Sequence, residues 1–126
     1  MLKIINFILL LVSYQSMATQ ELAGKNFLFK YEGNQHYQVT FTETEVTWRG
    51  IKGNDTGKSE TDKYQASLIA PSIHFVQWNE LDGTFVALTI NLKTKKIIST
   101  GISGTYQWFR RGSFLYRFQK QLVRPI

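Results

Sequence analysis

Phe27-Leu28-Phe29-Lys30-Tyr31-Glu32, then Gly33-Asn34, then His36-Tyr37-Gln38-Val39-Thr40-Phe41-Thr42 is the stretch on which the fold turns. Side chains two apart in an extended chain share a face, so Phe27, Phe29 and Tyr31 form one apolar stripe, and Tyr37, Val39 and Phe41 form another. A Gly-Asn pair between two such runs is a turn signal. Two antiparallel strands joined by a tight turn are therefore predicted, each offering one face to a core.

The same alternation continues through Glu45 to Gly50, Asp62 to Ile69, Ile73 to Asn79, Thr84 to Leu92, Lys96 to Ser103, Tyr106 to Arg110 and Phe114 to Gln119. No helical stripe competes with it. Most links are short, which forces neighbours in sequence to pair antiparallel. The chain thus reads as all-β, a single up-and-down meander of about eight strands that closes into a small lipocalin-like barrel, since closure removes exposed edges. Eight strands enclose room for side chains plus one small ligand, so the lumen is the expected site. Residues 50–59, polar and rich in glycine, are expected to form a mobile flap or rim loop.

A chain of 126 residues, 43% hydrophobic and 14% aromatic, excludes both intrinsic disorder and a second full domain. With no cysteine, the core must hold without disulfides. The first residues follow other rules. Met1-Leu2-Lys3 gives a positive start, Ile4 to Tyr14 is an apolar run, and Ser16-Met17-Ala18 places small residues where a signal peptidase reads. A signal peptide over residues 1–18 is predicted, with residues 19–126 as the barrel domain. The apolar run is too short for the roughly 20 residues a spanning helix needs, so no stable membrane insertion is expected. The mature protein is expected in the periplasm or secreted.

Motifs for specific chemistry are scarce. Gly53-Asn54-Asp55-Thr56-Gly57-Lys58-Ser59 imitates a phosphate-binding loop, but its glycine spacing is short and no helix follows. Asn54-Asp55-Thr56 matches a glycosylation acceptor, a pattern common by chance. His36 and His74, on separate strands and without cysteine, give no metal ligand set; no metal and no cofactor are expected. His36 reads as solvent-exposed and His74 as an ordinary strand residue. Gly101-Ile102-Ser103-Gly104 is too short for a nucleophile elbow. Late basic residues, Lys93, Lys95, Lys96, Arg110, Arg111, Arg117, Lys120 and Arg124, read as solvated strand faces and a basic tail within a net charge of +6. Tyr106, Trp108, Arg110, Arg111 and Tyr116 form a stacking-plus-charge footprint of nucleic-acid readers, but export removes that partner, and none is expected.

Arg49 is the informative charge. It follows Trp48 in a strand and so points to the opposite face, with Thr47 and Glu45. In a polar lumen Arg49 would point inward and need an acid or an anionic ligand; in an apolar lumen Trp48 lines the barrel and Arg49 is a surface charge.

The strings Leu22-Ala23-Gly24-Lys25-Asn26-Phe27-Leu28-Phe29-Lys30-Tyr31-Glu32, Trp48-Arg49-Gly50, Tyr64, Pro71-Ser72-Ile73-His74-Phe75-Val76-Gln77-Trp78-Asn79-Glu80 and Val86 to Leu92 resemble the MoaF-like family, related to the phenolic acid decarboxylases. The resemblance implies a lipocalin-like barrel with a central cavity and an inward guanidinium at Arg49. It also implies an incomplete decarboxylase site. Of the paired tyrosines that hold a substrate carboxylate, the first is Phe29 here and only Tyr31 keeps its hydroxyl. The position of the proton-transferring glutamate is Pro71. The expected function is binding of a small aromatic or carboxylated, anionic molecule, with Tyr31 and Arg49 as polar contacts and Tyr37, Tyr64 and Trp78 as aromatic lining. The alternatives are a decarboxylase or lyase acting on phenolic acids, or a solid barrel that works through its surface.

Overall fold

The structure is a computed structural model that describes residues 17–19 and 21–118. Residues 1–16 of the expected signal, the end of the last expected strand at Gln119, and Lys120 and Arg124 of the basic tail lie outside the described residues.

Eight strands run in chain order: β1 Lys25–Tyr31, β2 Gln35–Phe41, β3 Glu45–Lys52, β4 Ser59–Ala70, β5 Ile73–Asn79, β6 Phe85–Asn91, β7 Lys96–Ser103 and β8 Tyr106–Phe118. Each pairs antiparallel with the next, and β8 returns to β1, so the sheet is a closed up-and-down barrel. The two last expected segments are one strand. Gly112, between those two segments, sits in mid-strand, opposite Ile97 on β7 and Tyr31 on β1. A Cβ at Gly112 would strike the Lys30 carbonyl, so the glycine permits a close strand approach rather than a turn.

The expected flap is also shorter and more tightly held, because β3 runs on to Lys52 and β4 begins at Ser59. Within it Gly50 N–H donates to the Lys58 carbonyl at 2.9 Å, Gly57 N–H to the Gly50 carbonyl at 3.0 Å, and Asn54 N–H to Gln35 Oε1 at 2.9 Å. These bonds make it a braced rim turn.

The strict alternation of a meander sends its loops to two ends. At one end the N-terminal segment folds over the barrel: residues 17–19 and 21–22 are helical, Ala23 N–H donates to the Thr19 carbonyl at 2.8 Å, and Ala18 and Leu22 are fully buried. Beneath lie Phe27, Phe41, Val46, Val76, Ile90, Ile97 and Phe114, all at 2% exposure or less. Phe27 meets Phe41 and Phe114 edge-on at 5.8 and 5.3 Å between ring centroids. Each such side chain withdrawn from water contributes about 1.5–3 kcal/mol, which explains how the fold dispenses with disulfides. His74 is buried in this end, and its Nε2 lies 3.0 Å from Glu21 Oε2. It therefore ties the N-terminal segment to β5, a role beyond that of an ordinary strand residue.

Candidate functional site

At the other end, where β1, β3, β5 and β7 finish and the even strands begin, the packing stops short and leaves a cavity of about 700 Å³. Alternation places its lining. Phe29 and Tyr31 come from β1, Tyr37 and Val39 from β2, Trp48 from β3, Glu60 from β4, Trp78 from β5, and Trp108 with Arg110 from β8. All three tryptophans of the chain line this one space. Gly101 on β7 makes room for one of them: a Cβ there would collide with the Trp108 indole and the Phe85 carbonyl.

One wall carries a chain of polar contacts. Arg110 Nη1 donates to the Tyr37 hydroxyl at 3.4 Å, Tyr37 donates to Asp55 Oδ2 at 2.5 Å, and Lys58 Nζ stands 3.4 Å from Asp55 Oδ1. The Arg110 guanidinium also lies 5.8 Å from the Trp108 ring centroid. Burial pushes the Tyr37 phenol up to about 12, and its bond to Asp55 adds to the rise, while Arg110 opposes it. The Tyr31 phenol is raised further, first by burial, with Ser99 opposing. Both hydroxyls are protonated donors at neutral pH.

The facing wall is acidic. Glu60, Glu80 and Asp82 line the cavity, and Asp62, 7% exposed, follows Glu60 on the inward face of β4. Trp78 Nε1 donates to Glu80 Oε2 at 3.2 Å, and Leu81 N–H to Glu60 Oε2 at 2.9 Å. Burial lifts the Glu80 carboxyl to about 7; the Trp78 bond opposes this, while the charges of Glu60, Asp62 and Asp82 add to it. Asp62 is lifted to about 6 by burial and by Glu60. Asp82 is held below its usual value by the bonds Thr84 donates to it. Asp62 Oδ2 and Trp48 Nε1 are buried without a hydrogen-bond partner, and the Trp48 indole opposes the rise of Asp62.

Of the five residues expected at the site, Tyr31, Tyr37 and Trp78 line the cavity together. Tyr64 lies deeper, its ring 5.1 Å from Phe41 and its hydroxyl donating to the Thr42 carbonyl at 2.6 Å, outside the cavity lining. Arg49 is exposed on the outer face, because Trp48 takes the inward position of β3. The inward guanidinium expected there is supplied by Arg110. Pro71 is exposed in the β4–β5 turn, and Phe29 lines the cavity without a hydroxyl. Asp55, Glu60, Glu80, Asp82, Ser99, Trp108 and Arg110 were missed as site residues. Trp108 and Arg110 are legible as site residues because they share a strand face with Tyr106, whereas Arg111 of the same stacking-plus-charge footprint points outward. The acids lie at strand starts and in rim loops, where alternation gives no signal. Among the described residues no group of three or more histidine, aspartate and glutamate side chains could hold a metal ion.

The family model described as MoaF-like matches residues 23–111. No curated protein matches the chain. Among solved structures, a chain from Burkholderia vietnamiensis described as a "putative beta-lactamase" superposes with a TM-score of 0.72 at 17% identity, over 76% of this chain and 95% of that one. That likeness is one of fold.

Proposed function

The chain belongs to the MoaF-like family, and from that premise we propose that it is an exported barrel that binds a small aromatic molecule in the open half of its lumen. The observation that carries this reading is the cavity of about 700 Å³ lined by every tryptophan of the chain together with Tyr31, Tyr37 and Tyr106. Ligand sites are concave and combine aromatic and apolar walls with placed polar groups, and this lining divides about evenly between the two kinds. The carboxylated class of ligand rests on Tyr31 and Arg49 together, and Arg49 is on the outer face. Arg110, which takes its place inside, is already linked through Tyr37 to Asp55. Export, to the periplasm or medium, is supported by the apolar run and small residues before Thr19; cleavage there would remove the buried Ala18 and keep Thr19, Glu21 and Leu22 at the closed end.

Native mass spectrometry of protein purified from its own host tests the reading, with tryptophan fluorescence titration against neutral aromatic compounds. A retained small molecule, or quenching that is lost in Trp108→Ala, is expected. No retained mass and no quenching by any compound would refute it.

A second reading has one observation in its favour. Glu80, held near half-protonation at neutral pH, lines the same cavity as Tyr31, and such a carboxyl is suited to proton transfer. With Phe29 and Pro71 where the decarboxylase-like pattern needs a hydroxyl and an acid, no conversion of hydroxycinnamic acids to vinylphenols is expected. Product formation lost in Tyr31→Phe or Glu80→Gln would promote the enzyme reading.

A further inference from the structure

The protein carries a net charge of +6, yet its cavity is lined by four acidic residues, Asp55, Glu60, Glu80 and Asp82, against two basic ones, Lys58 and Arg110. The two bases are already engaged. Both meet Asp55, Lys58 directly and Arg110 through the Tyr37 hydroxyl, so that wall holds one more base than acid. Glu60, Glu80 and Asp82 form no ion pair among the described residues. Their hydrogen bonds, from Leu81 N–H, Trp78 Nε1 and Thr84 N–H, each occupy one carboxyl oxygen.

Behind them Asp62, 7% exposed, leaves Oδ2 without a partner. A buried acceptor left unsatisfied is costly, and carboxylates crowded together raise one another's proton affinity. A cation at the mouth lowers the second of these penalties, the mutual repulsion of the carboxylates. The acids do not converge as a metal site does among the described residues. What stands around them instead is aromatic: Trp48, Trp78 and Trp108 present ring surface to the same space. Ring faces attract cations, most strongly where water is excluded.

We propose that the ligand is a small organic cation, an aromatic or alkylated ammonium, whose charge sits against Glu60, Glu80 and Asp82 and whose body lies among the tryptophans. This rests on the binding reading above and adds the sign of the charge. Aromatic rings alone would accept neutral, anionic or cationic compounds of the right size; the uncompensated wall selects among them. Arg110, on the opposite wall, repels a second positive group, so a monocation is favoured over a diamine.

Three compounds of one scaffold separate the two claims: benzyltrimethylammonium, benzyl alcohol and phenylacetate, titrated against the full protein by tryptophan fluorescence and calorimetry. The ammonium is expected to bind at least about tenfold more tightly than either of the others. Glu80→Gln, which keeps the side-chain shape and an acceptor for Trp78, should cut that preference, read as the ratio of the ammonium and alcohol affinities, by roughly tenfold. Glu60→Gln should act in the same direction and serves where Glu80→Gln fails to fold, as judged by its melting curve. Equal or tighter binding of the alcohol or of phenylacetate would overturn the charge assignment and keep the aromatic site. Binding of none of the three would overturn both.

Discussion

Phe27 and Tyr31 belong to one stripe of β1, and both face inward. Phe27 is enclosed by Phe41, Phe114 and Tyr116 at ring separations of 5.3–5.8 Å. Tyr31 has Tyr37 at 6.0 Å and the cavity beyond it. The same comparison holds on β8, where Phe114 is buried in the closed end while Trp108 and Arg110 line the mouth. Facing inward is thus two different conditions. Deep in the closed half it means a hydrocarbon neighbour on every side, and at the mouth it means a wall of a space that strands alone do not fill. Stability should be concentrated in the first half and specificity in the second.

The largest effect that can break this contrast is truncation in the closed half. Phe27→Ala removes a fully buried ring and should cost about 3–5 kcal/mol of folding stability. Trp108→Ala, in the open half, should cost clearly less, because Trp108 is partly exposed and borders space already empty. Chemical denaturation of both variants measures this, and equal losses would mean that the mouth is part of the core.

Next comes a substitution that adds matter instead of removing it. Gly101→Ala places a methyl group against the Trp108 indole and the Phe85 carbonyl, and the carbonyl cannot swing aside. A loss of about 1–3 kcal/mol is expected, as for overpacked interiors, with altered tryptophan fluorescence and reduced aromatic binding. Unchanged stability and fluorescence would show that Gly101 does not set the position of Trp108.

The two ends should also answer pH in opposite senses. His74, beside Glu21 and facing the charge of Lys25, is lowered by burial from its ordinary 6.5. The unfolded chain then binds the proton more readily, so the closed end loses stability as pH falls below 6.5. Glu80, facing Glu60 and Asp62 on β4 and Asp82 in the next loop, is raised from 4.5 to about 7. Its contribution is full below 4.5 and is lost as pH rises through about 7. His74→Gln should flatten the acid side of a melting-temperature profile, and Glu80→Gln the side approaching neutrality. The Glu80 titration should also strengthen benzyltrimethylammonium binding as pH rises through about 7, since that cation carries its charge at every pH.

The smallest expected effect is informative because it is small. Arg49→Met on the outer face should change stability by less than about 0.5 kcal/mol and leave ligand binding unchanged. Arg110→Met breaks the contact to Tyr37 and should alter the fluorescence of Trp108 beside it. A binding loss in Arg49→Met would return that residue to the site.

Alternation by itself determined the strands, their antiparallel order, the closed barrel and the inward identity of Phe27, Phe29, Tyr31, Tyr37, Val39 and Phe41, because side-chain direction in a strand has a period of two and needs no distant partner. It also held Trp48 and Arg49 to opposite faces, without saying which face was inside. That choice depends on the register between strands, which sets Trp48 opposite Glu60 on β4 and Val39 on β2, all inward, and leaves Arg49 opposite Gln38 and Ser59. Only the closed barrel brought Arg110 to Tyr37, far apart in sequence, and gathered Glu60, Glu80 and Asp82 into one wall. Such meetings come from strand tilt and loop path, which follow from how the whole sheet closes and leave no mark on the local pattern of any one strand.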